Sequence, residues 1–245
     1  MSGWQLANPV RRVKANLKGR DLVVGDIHGC FDLLQSALDS LAFDERVDRL
    51  FSVGDLIDRG PDSIASMGWL GKPWFYACLG NHESVLLDYL YSQDEDLADT
   101  WCRFGGEWFF DLSFKMQTSL AQRVLQHCSY AVEISDQNGH AETGIVHADV
   151  PVGMSWSQFT SAIGENSRLQ YDTLWARERG RGLRSDRVEG VRQVVAGHQI
   201  VQGAHQSGNV WLIDTGAYRA EEQGGELTVL ELPDRLHHFS DSALR

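Results

Sequence analysis

The chain has 245 residues, 42% of them hydrophobic, which is enough for one large compact domain or two small ones. Its formal net charge of −12 argues against broad nucleic-acid binding, because phosphate backbones are held by clustered Lys and Arg. No window approaches the roughly 18 consecutive apolar residues of a membrane helix, and Met1 to Pro9 lacks the charged-then-apolar plan of a secretory signal. A cytoplasmic monomer with no membrane partner is the expectation. Cys30, Cys78, Cys102 and Cys128 form no CxxC pair, so neither a zinc ribbon nor a dithiol centre is predicted, only reduced and mostly buried thiols.

In chain order, short apolar runs at Leu22 to Val24, Leu50 to Val53 and Phe75 to Leu79 read as buried strands. Phe31, Leu34, Ala37, Leu38 and Leu41 fall at helical spacing between the first two, and Ile64, Met67 and Leu70 predict a shorter helix before the third. Strand, helix, strand repeated in this way predicts a parallel sheet. Residues 85–128 read as a mainly helical insertion, interrupted by Gly105-Gly106 and the aromatic run Trp108-Phe109-Phe110. Strands return at Tyr130 to Ile134, Gly144 to Val146, Val194 to Ala196, Val210 to Ile213 and Leu227 to Leu232, with a hairpin turn at Asn138-Gly139. The predicted fold class is α/β, with two sheets or one mixed sheet. Nothing divides the chain, so 1–245 is expected to be a single domain; Arg177 to Arg192 reads as an exposed Arg- and Gly-rich loop, and Ser240 to Arg245 as a frayed tail.

Five of the runs end beside a metal-capable side chain: Val24-Gly25-Asp26, Val53-Gly54-Asp55, Leu79-Gly80-Asn81, Val146-His147 and Ala196-Gly197-His198. Asp26, Asp55 and Asn81 are each about one βαβ unit apart, which predicts that they emerge at the same carboxyl edge, where α/β sheets bind ligands. His28 completes a set of two Asp, one Asn and three His, an oxygen and nitrogen shell suited to borderline divalent metals. Six ligands are too many for one tetrahedral zinc but suit two ions bridged by one carboxylate, and Asp55, central in chain order, is the expected bridge. Taken alone, a GDxHG turn could equally be a helix cap; three linked motifs are not explained by capping.

The motifs GDIHG at 25–29, GDLIDRGPDS at 54–63 and GNHE at 80–83, with His147 and Gly197-His198, resemble the phosphoprotein phosphatase family. RFGGEWFFDL at 103–112 and LWARER at 174–179 look like its compact bacterial and bacteriophage-lambda-type members. The resemblance implies a metallophosphoesterase (calcineurin-like) fold: a sheet-based core with flanking helices and a helical cap insertion. It puts Asp26, His28 and Asp55 on one metal and Asp55, Asn81, His147 and His198 on the other, with manganese first and iron or zinc as alternatives. It makes His82 the acid that protonates the leaving oxygen, Asp58 its orienting carboxylate, and Arg59 with Arg177 the clamp on phosphate oxygens. The implied reaction is hydrolysis of phosphoserine and phosphothreonine in proteins or peptides, extending to phosphotyrosine or phosphohistidine, by a hydroxide bridging the two ions. A symmetrical diadenosine tetraphosphate hydrolase is the rival enzyme; those enzymes tend to carry Ala where this chain has Asp58 and Asp where it has Glu83. A non-catalytic phosphoprotein-binding module is the rival from another class. The chain departs from the family at Gln199, where Thr is usual, a change bearing on hydrogen bonding around the ligands and on metal preference. Asp214 is read as structural. His127, His140, His205, His237 and His238 are read as surface or packing residues.

Overall fold

The computed structural model describes residues 3–219 and 224–240. In chain order the elements are β1 (Val10–Val13), β2 (Asp21–Val24), α1 (Phe31–Ser40), β3 (Arg49–Ser52), α2 (Ser66–Trp69), β4 (Phe75–Cys78), α3 (Asn81–Ser92), α4 (Glu95–Cys102), α5 (Phe114–His127), β5 (Cys128–Ser129), β6 (Ala131–Ser135), β7 (Ala141–Val146), α6 (Trp156–Ala162), α7 (Ser167–Trp175), β8 (Gln193–Ala196), β9 (His205–Ser207), β10 (Val210–Leu212), β11 (Leu227–Glu231) and β12 (Arg235–Phe239). Short 3-10 turns lie at Ser63–Ala65, Glu107–Asp111 and Ala217–Arg219.

The strands form two six-stranded sheets, one ordered β12-β11-β2-β3-β4-β5 and the other β1-β6-β7-β8-β10-β9. In the first, β2 to β5 run parallel and β11 joins antiparallel to β2. In the second, β7, β8 and β10 run parallel, while β6 and β7 form the antiparallel hairpin predicted at Asn138-Gly139. There the Asp136 carboxylate accepts the Asn138 and His140 N–H groups, each at 2.8 Å, and Gly139 adopts the positive φ the turn requires.

Why the strand runs are apolar without alternation follows from the two layers. Val23, Phe51, Val53 and Cys78 of the first sheet pack against Val132, Ile134, Ile145, Val195 and Ile213 of the second. Their sequence neighbours Leu22, Val24 and Leu50 face the opposite way, into the larger core with Phe31, Leu34 and Leu38 of α1. Both faces of each central strand are buried, so period-2 patterning is lost. Strands β1 (VRRV), β9 (HQS) and β12 (RLHHF) escaped sequence prediction because they lie at sheet edges, where one side stays wet and polar residues are tolerated. Helices α6 and α7 were missed as well, although each carries a capping signature: Ser155 with Gln158, and Asn166.

Helices α3, α4 and α5 and the Glu107–Asp111 turn occupy the segment predicted as helical, 85–128, with α3 beginning earlier at Asn81. The 177–192 segment contains no helix or strand, yet it is not simply an exposed loop. Arg179, Val188 and Val191 within it are buried: Arg179 pairs with Asp149, and the two valines belong to the larger core. Of the predicted tail, 241–245 lie outside the described residues. Among the described residues no helix is long and apolar enough to cross a membrane, and the four cysteines are free, Cys102 being half-buried and the others buried.

Candidate metal centre

Each candidate ligand stands where a strand ends. Asp26 and His28 follow β2, Asp55 follows β3, Asn81 opens α3 after β4, His147 follows β7 and His198 follows β8. The first three strands belong to one sheet and the last two to the other, so the site sits where the two layers' carboxyl ends meet. Aiming these side chains inward requires sharp turns. Seven non-glycine residues among those described have positive φ, and five of them are His28, Asp55, Asp58, Arg59 and His198. Left-handed backbone at such residues is costly and persists where the surroundings impose it. Gly197 is required for a related reason: a Cβ there would run into the Asp26 carboxylate.

Two sets of donor atoms, His28/Asp55/His82 and Asp55/His147/His198, each fall within 4.8 Å of one another, and Asp55 belongs to both. Asp55 Oδ2 lies 3.5 Å from His28 Nε2, and Oδ1 lies 3.4 Å from His147 Nε2. Asn81 Oδ1 is 2.9 Å from His147 Nε2 and 2.8 Å from His198 Nδ1. Asp26 lies outside both sets. Its carboxylate accepts the His198 backbone N–H at 3.1 Å and sits beside Asp55 and Asp214. His82, expected only as an acid, takes part in the first set.

The donor set fits divalent cations on three physical grounds. His28 Nδ1 lies 2.8 Å from the Ile57 carbonyl and His147 Nδ1 lies 3.0 Å from the Val53 carbonyl; donation there leaves both Nε2 lone pairs facing Asp55, the tautomer a metal needs. Burial drives the pKa of His28 and His147 down, and that of His198 down to about 2, so all three rings are neutral donors. Finally, burial and mutual repulsion push Asp26 well above the usual carboxylate range and Asp214 up to about 7. Burial also raises Asp55, but its attraction to the surrounding His147, His82 and His28 rings, of which His82 is the one with a raised pKa, outweighs it and the net shift is downward. His198 Nε2 is buried without a hydrogen-bond partner. A pocket of crowded acids with a bare imidazole nitrogen is compensated by cations.

Beside the candidate ligands lies a buried histidine–carboxylate pair. His82 Nδ1 is 2.6 Å from Asp58 Oδ2, and Asp58 is fully buried. Burial lowers the His82 pKa, but the Asp55 charge and the Asp58 hydrogen bond outweigh it, and the net shift is upward. Asp58 also accepts Trp101 Nε1–H at 2.6 Å and Trp108 Nε1–H at 2.7 Å, so the cap holds the carboxylate that holds the histidine. Trp108 thus reaches the site, whereas Phe109 is core and Phe110 is 38% exposed. Arg59 lies over the Tyr218 ring at 5.0 Å and 3.0 Å from His28 Nε2. Arg59, Asn81, His82 and Arg177 help line a cleft of about 500 Å³ whose walls also include Trp101, Phe104, Tyr171 and Trp175.

Sequence reasoning missed Trp101 and Tyr218, which no spacing rule connects to the site, and the role of Glu83. The Glu83 carboxylate accepts the backbone N–H groups of Asp55, Leu56, Ile57 and Gly80 at 2.8–3.2 Å. Burial and the Asp55 charge push its pKa up to about 8, against the four donors that favour the anion. Asp214, read as structural, is buried beside Asp26 and accepts the Gly216 N–H. His127, His140, His205, His237 and His238 lie outside both donor sets.

A fold of two layered sheets with cation-ready ligands at the strand ends is that of a metallophosphoesterase. The calcineurin-like phosphoesterase model matches residues 20–225, and the chain belongs to that family. It is 36% identical over 200 residues to serine/threonine-protein phosphatase 2 of Escherichia coli (strain K12), covering 80% of this chain and 86% of that relative. It is also 34% identical over 125 residues to the symmetrical bis(5'-nucleosyl)-tetraphosphatase of Legionella pneumophila (strain Corby), covering 45% of each. The fold is shared with a protein serine/threonine phosphatase from Saccharomyces cerevisiae at a TM-score of 0.64, with 15% identity, 95% of this chain and 84% of that one covered. The chain is therefore a metal-binding phosphoesterase.

Proposed function

We propose that this phosphoesterase hydrolyses phosphate monoesters on serine and threonine side chains of proteins or peptides. The observation that carries the reading is the buried Asp58–His82 pair, 2.6 Å apart, whose histidine lines the cleft. A monoester leaves as a poorly stabilised alkoxide, which needs a proton at departure, whereas a nucleoside polyphosphate leaves as an already stable anion. An orienting carboxylate that keeps the histidine protonated serves the first case. Two divalent ions, manganese first and iron or zinc next, would be held by Asp26, His28, Asp55, Asn81, His147 and His198. When bound they supply an activated water and neutralise charge on the phosphoryl group. The chain's own residues do the rest: Arg59 and Arg177 fork onto phosphate oxygens, and His82 delivers its Nε2 proton to the leaving oxygen. Without a requirement for a particular side chain in that list, phosphotyrosine and phosphohistidine remain within reach of the same machinery. The four free cysteines agree with a cytoplasmic setting.

The nucleotide-cleaving relative supports a second reading, hydrolysis of diadenosine tetraphosphate, in which the aromatic cleft walls would take a base. Turnover of p-nitrophenyl phosphate, a phosphoserine peptide and the dinucleotide by metal-loaded protein separates the two. The peptide is expected to be the better macromolecular substrate; a higher kcat/KM for the dinucleotide overturns the proposal.

A further inference from the structure

We propose that Gln199 is a positioning residue that fixes the Arg177 guanidinium for phosphate, and that its neutrality is what the site requires. The inference rests on the reading of Arg177 as part of the phosphate clamp.

Arg177 lies on an irregular segment, so something other than helix or strand must set its direction. The backbone of the turn is anchored by Arg179, 2% exposed. Its Nε is 3.0 and 3.1 Å from the two Asp149 oxygens, and its Nη1 donates to the Asp186 and Ser207 carbonyls at 2.9 Å. Within the turn, the Arg181 N–H bonds the Arg177 carbonyl and the Gly182 N–H bonds the Arg179 carbonyl. That fixes the main chain but not the Arg177 side chain, which is long and rich in rotamers.

Gln199 supplies the missing constraint. It directly follows His198, whose φ of 68° turns the chain, and the Gln199 N–H is tied to the Gly197 carbonyl at 2.8 Å. Its aliphatic part lies flat on Gly180, so closely that a Cβ there would collide with the Gln199 Cβ and Cγ. Its Oε1 accepts from Arg177 Nη1 at 3.4 Å. One side chain thus spans from the strand end that carries a candidate ligand to the turn that carries the clamp. A threonine here would be shorter by two atoms of chain and would carry no carboxamide to reach across. A carboxamide orients the guanidinium while leaving its full positive charge for the phosphate. A carboxylate of the same shape would orient it equally well but neutralise it and repel the dianion.

The test uses six metal-loaded proteins: the unchanged chain, Gln199→Leu, Gln199→Glu, Arg177→Ala, and both Gln199 changes repeated on Arg177→Ala. Inorganic phosphate binding by calorimetry is read beside KM and kcat for p-nitrophenyl phosphate. Losing one weak hydrogen bond, Gln199→Leu should weaken phosphate binding and raise KM about fivefold with little change in kcat. Gln199→Glu should weaken both by about tenfold or more. On Arg177→Ala, each effect should shrink below about twofold, because the partner is gone. A purely structural Gln199 predicts the reverse order, the isosteric Glu being harmless, or effects that persist undiminished without Arg177; either result overturns the proposal. Should Gln199→Leu fail to fold, Gln199→Glu alone decides by the same cycle. Phosphate binding unaffected by Arg177→Ala sinks the clamp and this inference together, whereas a poor phosphopeptide rate with normal phosphate binding sinks only the substrate reading.

Discussion

Asp58 illustrates how much can hang on one carboxylate. Its two oxygens accept three ring N–H groups, from His82, Trp101 and Trp108, and no water-exposed surface remains to replace any of them. His82 is useful as an acid only while protonated, so kcat is expected to hold at neutral pH and fall as pH rises through its elevated pKa. Asp58→Asn removes part of the upward shift, and the alkaline limb of the kcat profile should move to lower pH, measured with p-nitrophenyl phosphate. His82→Asn should lower kcat by about 10²–10⁴ with the fold intact by circular dichroism; a near-normal rate would show that another group protonates the leaving oxygen. The sequence motif made His82 and Asp58 legible as a pair. The two indoles were not, because Trp101 and Trp108 lie 43 and 50 residues from Asp58 and only the cap's folding brings them there.

Between elements, Glu83 acts as a clasp. It sits in the first turn of α3 and gathers N–H groups from the loop after β3 and from the end of β4, holding Asp55 and Asn81 in register. Glu83→Gln replaces an acceptor by an NH₂ group facing backbone donors, and is expected to cost about 2–4 kcal/mol in denaturant unfolding. On the outer face of the second sheet, Trp156 of α6 covers Gly144, packs against Phe159 with the rings tilted at 48° and 5.5 Å apart, and donates to Glu133 at 2.7 Å. Trp156→Ala should cost about 3–5 kcal/mol while leaving kcat unchanged, since the cavity opens on the outer face of the second sheet. A matching loss of kcat would show that the second sheet's packing is transmitted to His147. Helix α1 and the central strands were readable from apolar spacing alone; α6 and α7 needed their caps to be noticed, and the edge strands left no apolar signal.

For the whole molecule, three buried carboxylates, Asp26, Asp55 and Asp214, meet where the sheets converge. Chelation is expected to abolish turnover and lower the melting temperature, and add-back of manganese, iron, zinc or magnesium should restore both in an order that identifies the preferred ion. A ligand at 100 times its Kd stabilises by about 2.7 kcal/mol, well within reach of a melting measurement. In the chelated protein Asp214, which takes up its proton near pH 7 when folded but near 3.8 when unfolded, should add stability as pH falls from about 8 toward 5. His28, His147 and His198, depressed in the fold, take stability away below their free value of 6.5. Asp214→Asn isolates the first contribution: its chelated form should lose the acid-side gain relative to the unchanged chain. Identical pH profiles for the two chelated proteins would mean that the Asp214 carboxylate is already compensated by the chain.

The amino-acid sequence by itself determined the candidate ligand types, the strand ends that carry them and the phosphoesterase family, because these depend on local order: an apolar run, a glycine, then a donor. Only the tertiary structure decided which donors share Asp55, that Asp26 leans on the His198 amide, that two cap indoles hold Asp58, and that Gln199 rests on the turn bearing Arg177. Those relations join residues from different sheets or from cap and core. No periodicity along one chain encodes a contact whose partners are brought together by the packing of separate layers.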